Sequence, residues 1–115
     1  MIRRGDIYYT YLDEGVGSEQ EGLRPVLVVQ NNTGNFRSDT IIVIPFTSAN
    51  KAGIPTHVSF DKEYGLEVKS IALAEQIMTL DRSRLGDHIG TVDDIKMLEV
   101  DQALRVSLAL DYDNE

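Results

Sequence analysis

The 115-residue chain contains no cysteine and no tryptophan, and each absence excludes a class of function. Without cysteine there is no disulfide framework, no thiolate nucleophile and no cysteine-ligated zinc site. Any catalysis must therefore use oxygen, nitrogen or guanidinium groups. With five tyrosines and three phenylalanines, the chain also has few residues from which to build the aromatic groove of a peptide-binding module.

Long hydrophobic runs are absent as well. The longest, residues 25–29 and 41–46, are far too short to span a bilayer, and residues 1–6 lack the apolar stretch of a signal peptide. We therefore expect a cytoplasmic protein with no membrane partner. A hydrophobic content of 42% is sufficient to fill one core, and the length predicts a single domain over residues 1–115.

Basic residues are scarce: 11 stand against 19 acidic ones, and the formal net charge of −8 disfavours a nucleic-acid partner. Most of the excess lies in residues 87–115, where eight acids and two bases give −6. Residues 1–86 keep eleven acids and nine bases. A nucleic-acid site in this larger part would have to be a local basic concavity, because the overall field repels phosphate.

Periodicity predicts mostly short strands. Runs rich in β-branched and aromatic residues predict strands over residues 6–12, 24–30, 39–47, 56–60, 70–80 and 88–91. The run over 39–47 is apolar throughout, which indicates burial on both faces and a place at the centre of the core. Residues 70–80 also have the alanine and leucine content of a helix, but their ends favour a strand. Asparagine and glycine over 31–35 predict a turn, and 81–85 predict one helical turn.

One helix is predicted near the C-terminus. Residues 91–94, Thr-Val-Asp-Asp, resemble a capping box with aspartate in place of glutamate. Apolar residues then recur at helical spacing and form one face, which three further residues widen. The face consists of Met97, Val100, Leu104 and Leu108, widened by Ile95, Leu98 and Val106. Antiparallel strands closed by such a helix predict a small α+β barrel-like fold.

Two polar connections are long enough to carry a site, residues 13–22 and 48–55. The connection over residues 13–22 leads to Arg24 at the start of a predicted strand, and Pro25 restricts the backbone of Arg24 to an extended conformation. A guanidinium held in a fixed direction suits bidentate contact with a phosphate. The alternative is a surface arginine paired with Glu19 or Glu21.

Hydroxyl and imidazole groups are the next candidates. Thr47 and Ser48 place hydroxyls at the end of the central strand, where they can position a ligand or cap a turn. Histidine titrates near neutrality; His57 faces a groove or solvent, and His88 has no evident partner.

Glu75 and Gln76 are predicted to lie mid-strand in apolar company, so at least one of them should be hydrogen-bonded or line a cavity. The sequence shows no metal-ligand spacing, no phosphate-binding glycine loop and no nucleophile elbow. We therefore expect neither a metal nor another cofactor.

Several blocks in register resemble the MazF/PemK-like toxins of bacterial toxin–antitoxin systems, and the resemblance runs over the whole chain. The blocks are Arg4-Gly-Asp6, Gly17-Ser-Glu-Gln20, Gly22, Arg24-Pro25, Thr47, Pro55-Thr-His57, Glu75-Gln76, Leu80-Asp81 and Arg84-Leu85. Met78 departs from the family pattern, which commonly has a basic residue after Glu-Gln-Ile.

The resemblance implies an SH3-like, mostly antiparallel β-barrel with a C-terminal α-helix, shared with the CcdB-like toxins. It implies a sequence-specific, metal-independent endoribonuclease, or mRNA interferase, whose partners are single-stranded RNA, a cognate antitoxin and a second copy of the chain. Arg24 and Thr47 match the catalytic pair of the family. The residues expected to bind RNA are Ser18, Glu19, Gln20, Ser48, His57, Glu75 and Gln76.

The expected reaction is attack of the ribose 2′-hydroxyl on the adjacent phosphate, so the substrate supplies the nucleophile. Arg24 would stabilise the developing charge and donate a proton, and Thr47 would hold a phosphate oxygen. The general base is left open, with His57 as one candidate. Two alternatives are a toxin of this fold that poisons DNA gyrase without cutting anything, and a peptide-binding module.

Overall fold

The computed structural model describes residues 1–48 and 53–110, so residues 49–52 of the predicted 48–55 connection lie outside the described part. The described strands are β1 (Asp6–Leu12), β2 (Gly22–Val28), β3 (Thr40–Thr47), β4 (His57–Phe60), β5 (Ser70–Leu73), β6 (Met78–Asp81) and β7 (His88–Thr91). The described helices are α1 (Asn32–Arg37) and α2 (Asp94–Leu108), with 3₁₀ turns at Ala74–Gln76 and Arg82–Arg84. Neither helix is long and apolar enough to cross a membrane.

Every pairing between these strands is antiparallel, and together they form one seven-stranded sheet. Neighbours follow the order β4-β5-β3-β2-β1-β7, and β6 also pairs with β3. The length of β3 allows this, because its first half pairs with β6 and its last two residues pair with β5. The sheet curls into a half-barrel, and α2 packs against one face. The predicted antiparallel α+β barrel with a C-terminal helix is confirmed.

Strand β3 is buried on both faces, as its unbroken apolar run predicts. Ile44 and Phe46 contact the core beneath α2, whereas Ile41 and Val43 contact a second cluster on the opposite face. Side chains alternate along a strand, so these two sets belong to the two faces of the sheet. The first cluster includes Ile7, Leu27, Phe60, Ala72 and Val100, and the second includes Leu12, Val26, Val28 and Leu80. Packing on both faces therefore holds residues 26–28 of β2 and residues 41–46 of β3.

The start of α2 differs from the predicted capping box. The N-cap is Asp93, whose carboxylate accepts a hydrogen bond from the Lys96 N–H. Thr91 instead ends β7 and donates its hydroxyl to Asp6, which is why it is not free to cap the helix. The other Asp93 oxygen accepts from the Tyr64 hydroxyl, and this bond is the main cause that raises the pKa of Tyr64 to about 12. The bond from the Lys96 N–H, followed by the bond from Tyr64, lowers the pKa of Asp93.

The buried face of α2 is narrower than predicted. Met97, Val100 and Leu104 are buried as expected, and Ala103 joins them. Four residues predicted on this face are exposed: Ile95, Leu98, Val106 and Leu108. A helix that lies on one face of a sheet buries a single stripe, so apolar residues outside that stripe stay in contact with solvent.

Two predictions around β2 are wrong. Residues 31–35 do not form a simple turn, because the Asn31 side chain accepts from the Gly34 N–H and caps α1. Strand β2 begins and ends two residues earlier than predicted. Gly22 already pairs with Leu12 of β1, whereas Gln30 has left the ladder and its side chain donates to the Thr40 carbonyl.

The predicted strand over residues 70–80 is broken in two. The 3₁₀ turn Ala74–Gln76 separates β5 from β6, so Glu75 and Gln76 do not lie mid-strand. Strand β3 explains the break, because β5 pairs with its end and β6 with its beginning. The intervening residues must therefore change direction, and the turn aims two polar side chains away from the core.

Candidate functional site

Arg24 and Thr47 both lie at the open end of the β2–β3 ladder. The three pairs of this ladder are Val28 with Val43, Leu27 with Ile44, and Val26 with Pro45. Arg24 and Thr47 each stand two residues beyond the last of these pairs, on β2 and on β3. The ladder therefore brings the two residues to the same end of the two strands.

Two prolines end the ladder at this point. Pro25 and Pro45 have no backbone N–H, so neither can donate a hydrogen bond between the strands. Beyond Val26 the strands part and border a cavity of about 220 Å³. Arg24 and Thr47 both line this cavity, which we call the Arg24 cavity. Its described lining is Tyr9, Leu23, Arg24, Pro25, Phe46, Thr47, Ser48, Leu66, Glu67, Val68 and Ser70.

The Arg24 side chain is held by the backbone of the preceding loop. Its Nε donates to the Glu21 carbonyl over 2.6 Å, and the side chain is half-buried. Within residues 1–48 and 53–110 no ion pair joins Arg24 to Glu19 or Glu21, so the surface-pair alternative is wrong. The bond at Nε leaves the two terminal nitrogens, the fork that binds phosphate, without a partner among the described residues.

Loop 13–21 folds on itself through its own acidic side chains. The Val16 N–H donates to the Glu19 carboxylate, and the Gly15 N–H donates to the Glu21 carboxylate. These bonds satisfy backbone groups that no strand pairs, and they give the loop a defined shape. Glu19, expected to contact RNA, therefore already uses one of its carboxylate oxygens.

A second and larger cavity, of about 500 Å³, lies beside this loop and is called the acidic cavity here. Its polar lining includes four carboxylates and one arginine: Asp13, Glu14, Glu19, Glu75 and Arg84. Gln20 and Gln76 line it too, and Gln20 Oε1 is buried without a hydrogen-bond partner among the described residues. The acidic cavity is therefore rich in hydrogen-bond acceptors and is not a basic concavity.

Glu75 is ionised and paired where it enters the acidic cavity. Its carboxylate accepts from the Thr56 hydroxyl at 2.9 Å and lies 2.9 Å from Nε2 of His57. Burial acts to raise the pKa of Glu75, but bonds from its own backbone N–H, His57 and Thr56 outweigh burial and lower it. The same bonds fix the carboxylate in one orientation.

His57 contacts Glu75 but does not itself line the acidic cavity. Its side chain is only 9% exposed, and its Nδ1 is buried with no partner among the described residues. It is not among the described residues that line the Arg24 cavity or the acidic cavity. His88, which had no evident partner in the sequence, lies 3.3 Å from the Asp6 carboxylate at the far edge of the sheet.

The chain is similar to a known protein family over most of its length. A family model for PemK-like, MazF-like toxins of type II toxin–antitoxin systems matches residues 3–108. The chain belongs to this family.

Curated relatives and solved structures agree with this family. Endoribonuclease EndoA of Bacillus subtilis is 52% identical over 112 residues, covering 96% of this chain and 97% of that protein. Endoribonuclease MazF of Staphylococcus epidermidis is 51% identical over 112 residues, covering 96% and 93%. A mycobacterial endoribonuclease solved in complex with its cognate antitoxin has a TM-score of 0.81 at 27% identity, covering 96% and 97%. The resemblance inferred from the sequence is confirmed.

Three residues that line the two cavities were not predicted as site residues. Glu67 and Tyr9, which lie outside the family blocks, border the Arg24 cavity, and Arg84, which belongs to one of those blocks, borders the acidic cavity. Tyr9 alternates with Thr10 on β1, so strand periodicity could have placed it near Pro25, its partner in the ladder. Glu67 lies on the connection between β4 and β5, for which the sequence carries no comparable signal.

No metal site is formed by these groups. Across residues 1–48 and 53–110, no three histidine, aspartate or glutamate side chains converge in a way that could hold a metal ion.

Proposed function

We propose that this protein is the toxin of a type II toxin–antitoxin system and cleaves single-stranded RNA at specific sequences without a metal ion. One observation carries the proposal: Arg24 and Thr47 line a single cavity at the open end of the β2–β3 ladder. The endoribonuclease names of the two bacterial relatives support the reaction class. The gyrase-poison alternative is not favoured, because it gives this pair of side chains no role.

The protein must assist the reaction in three ways. A proton must leave the ribose 2′-oxygen, the charge on the pentacoordinate phosphate must be stabilised, and the 5′-leaving oxygen must receive a proton. The Arg24 fork stabilises the phosphate charge and supplies the proton to the leaving oxygen. The Thr47 hydroxyl binds a phosphate oxygen and keeps the reacting group in line.

Glu67 is the proton acceptor in this proposal. It is the only carboxylate among the described residues that line the Arg24 cavity, and its side chain is exposed to the space that RNA would enter. No histidine lies among the described residues of this lining. His57, the candidate from the sequence, supports Glu75 instead.

The role of Glu67 can be tested by Glu67→Gln, which keeps the size and removes the acceptor charge. We expect kcat to fall about 10²-fold, the lower end for general-base catalysis, because an exposed carboxylate competes with water as acceptor. Single-turnover cleavage of a short RNA measures the effect. Glu63→Gln, an equal change at an exposed residue outside the cavity, is the control. Equal rates for the two variants would contradict the assignment.

Sequence preference is proposed to come from the acidic cavity. A carboxylate repels phosphate but accepts hydrogen bonds from the amino group of an unpaired base. The Glu19 and Glu75 carboxylates, which line the acidic cavity, present such acceptors, so a base with an exocyclic amino group fits better than uracil. Ser18 and Ser48 are proposed to add hydroxyl contacts, and His57 contributes through Glu75.

The experiment that tests the function maps cleavage ends on a long unstructured transcript in the presence of a chelator. We expect cuts within one short sequence that contains an amino-bearing base beside the scissile bond. Attack by the 2′-oxygen leaves a 2′,3′-cyclic phosphate and a 5′-hydroxyl, and both ends can be identified chemically. Intact RNA together with inhibited DNA supercoiling would support the gyrase poison and refute the nuclease.

The proposed partners are a cognate antitoxin and a second copy of this chain. The antitoxin is supported by the mycobacterial endoribonuclease, which was solved with its own antitoxin. An antitoxin segment that orders over the RNA-binding face would block cleavage by occupying it. The homodimer and a cytoplasmic location are carried over from the family resemblance.

A further inference from the structure

The 3₁₀ turn Ala74–Gln76 joins two parts of the site that are far apart in sequence. Gln76 Oε1 accepts from the Gln20 N–H at 3.1 Å, and Gln76 Nε2 donates to the Ser18 carbonyl at 3.0 Å. Both polar ends of one side chain are therefore bonded to the backbone of loop 13–21. The adjacent Glu75 does not bond to this loop. Its carboxylate bonds instead to Thr56 and to His57, the first residue of β4.

Loop 13–21, which Gln76 holds, also forms a hydrogen bond with the Arg24 side chain. Gln20 is followed by Glu21, and the Glu21 carbonyl accepts from Nε of Arg24 at 2.6 Å. A bonded path therefore runs from Gln76 through the Gln20 backbone and the Glu21 carbonyl to the guanidinium. Among the described residues this is the hydrogen bond that Arg24 makes through its side chain, so the loop sets the direction of the fork.

We infer that Gln76 is a positioning residue: by holding loop 13–21 it sets the orientation of the Arg24 guanidinium, instead of reading an RNA base. The two bonds use one lone pair of the Gln76 amide oxygen and one N–H of its amide nitrogen, so they fix the direction of the side chain while each atom keeps one further hydrogen-bonding position. The expected effect of Gln76 on RNA cleavage rests on the proposed function. That Gln76 holds loop 13–21 is a claim about the free protein and does not depend on that function.

The first test measures hydrogen–deuterium exchange of loop 13–21 in the free protein. Gln76→Ala removes both bonds, and we expect the Gln20 amide to exchange about five- to tenfold faster, with exchange in β1 and β3 unchanged. Gln76→Glu keeps the acceptor for the Gln20 N–H and loses the donor to Ser18, so it should protect that amide. Unchanged exchange in Gln76→Ala would overturn the inference whether or not the protein cleaves RNA.

The second test separates positioning from base reading by kinetics. If Gln76 orients Arg24, Gln76→Ala should lower kcat about tenfold, leave KM for RNA within about twofold, and keep the cleavage sequence unchanged. Gln76→Glu should recover part of kcat. A raised KM with relaxed preference at one base, and normal kcat, would show a direct reader and overturn the inference.

The control is Gln102→Ala, the same change at an exposed position of α2. It should match wild type in exchange and kinetics. Should wild-type protein fail to cleave any RNA, the proposed function fails, while the exchange experiment still decides whether Gln76 holds the loop.

Discussion

Replacing Arg24 with alanine should reduce RNA cleavage about 10³-fold without unfolding the protein. Removal of one preorganised electrostatic stabiliser typically costs about 10²- to 10³-fold in kcat, and Arg24 is also assigned the proton for the leaving oxygen. The side chain is half-buried and makes one bond to the backbone, so its loss should affect folding little. Single-turnover cleavage, with thermal unfolding measured in parallel, gives both quantities.

Arg24→Lys refines this expectation. Lysine keeps the positive charge but lacks the planar fork and the Nε that donates to the Glu21 carbonyl, so it should recover only a small part of the rate. Arg37→Ala removes the same charge from an exposed position in α1 and should leave cleavage unchanged. Near-normal cleavage by Arg24→Ala would remove the basis of the proposed mechanism.

The location of Arg24 and Thr47 beside one cavity is the part of the site that strand order helps to predict. Arg24 precedes one apolar run and Thr47 follows another, Pro25 restricts the backbone of Arg24, and antiparallel strands bring the start of one strand near the end of the next. The family resemblance pointed to the same pair. The buried residues that follow Arg24 in β2 and precede Thr47 in β3 pack on both faces of the sheet, and this packing fixes the register of the two strands.

The surroundings of the pair could not be predicted, since they depend on contacts between segments with no common period. Glu67 reaches the cavity through a connection that is neither strand nor helix, and Gln76 meets the loop only because a 3₁₀ turn interrupts two strands. The apolar pattern over 70–80 fits one continuous strand as well as it fits the two strands that the structure has. Pairing of β3 with both β5 and β6 overrides it, and this depends on the tertiary structure alone.

The charge distribution of the loop could not be predicted for a related reason. The acids of loop 13–21 accept hydrogen bonds from backbone amides, and Glu19 also lines the acidic cavity proposed here to bind bases. Affinity for RNA should then depend less on phosphate contacts and more on base edges. Such a site gains specificity from acceptors that unpaired bases satisfy and phosphates do not.

Replacing Thr47 with valine should reduce cleavage about 10²- to 10³-fold, because valine keeps the shape and deletes the hydroxyl assigned to a phosphate oxygen. Thr47 ends β3, lies within the Arg24 cavity and is only 9% exposed, so a valine fits the space and the strand. The rate should fall through kcat, since the hydroxyl acts on the reacting phosphate. Single-turnover cleavage at saturating RNA measures it.

Thr47→Ser distinguishes the hydroxyl from the methyl group. Serine keeps the oxygen, so it should cleave within about tenfold of wild type even where the lost methyl lowers stability. Thr33→Val, on the exposed face of α1, makes the same chemical change away from both cavities and should have no effect. If valine at residue 47 cleaves as fast as serine, the hydroxyl takes no part in the reaction, and Arg24 alone must stabilise the phosphate.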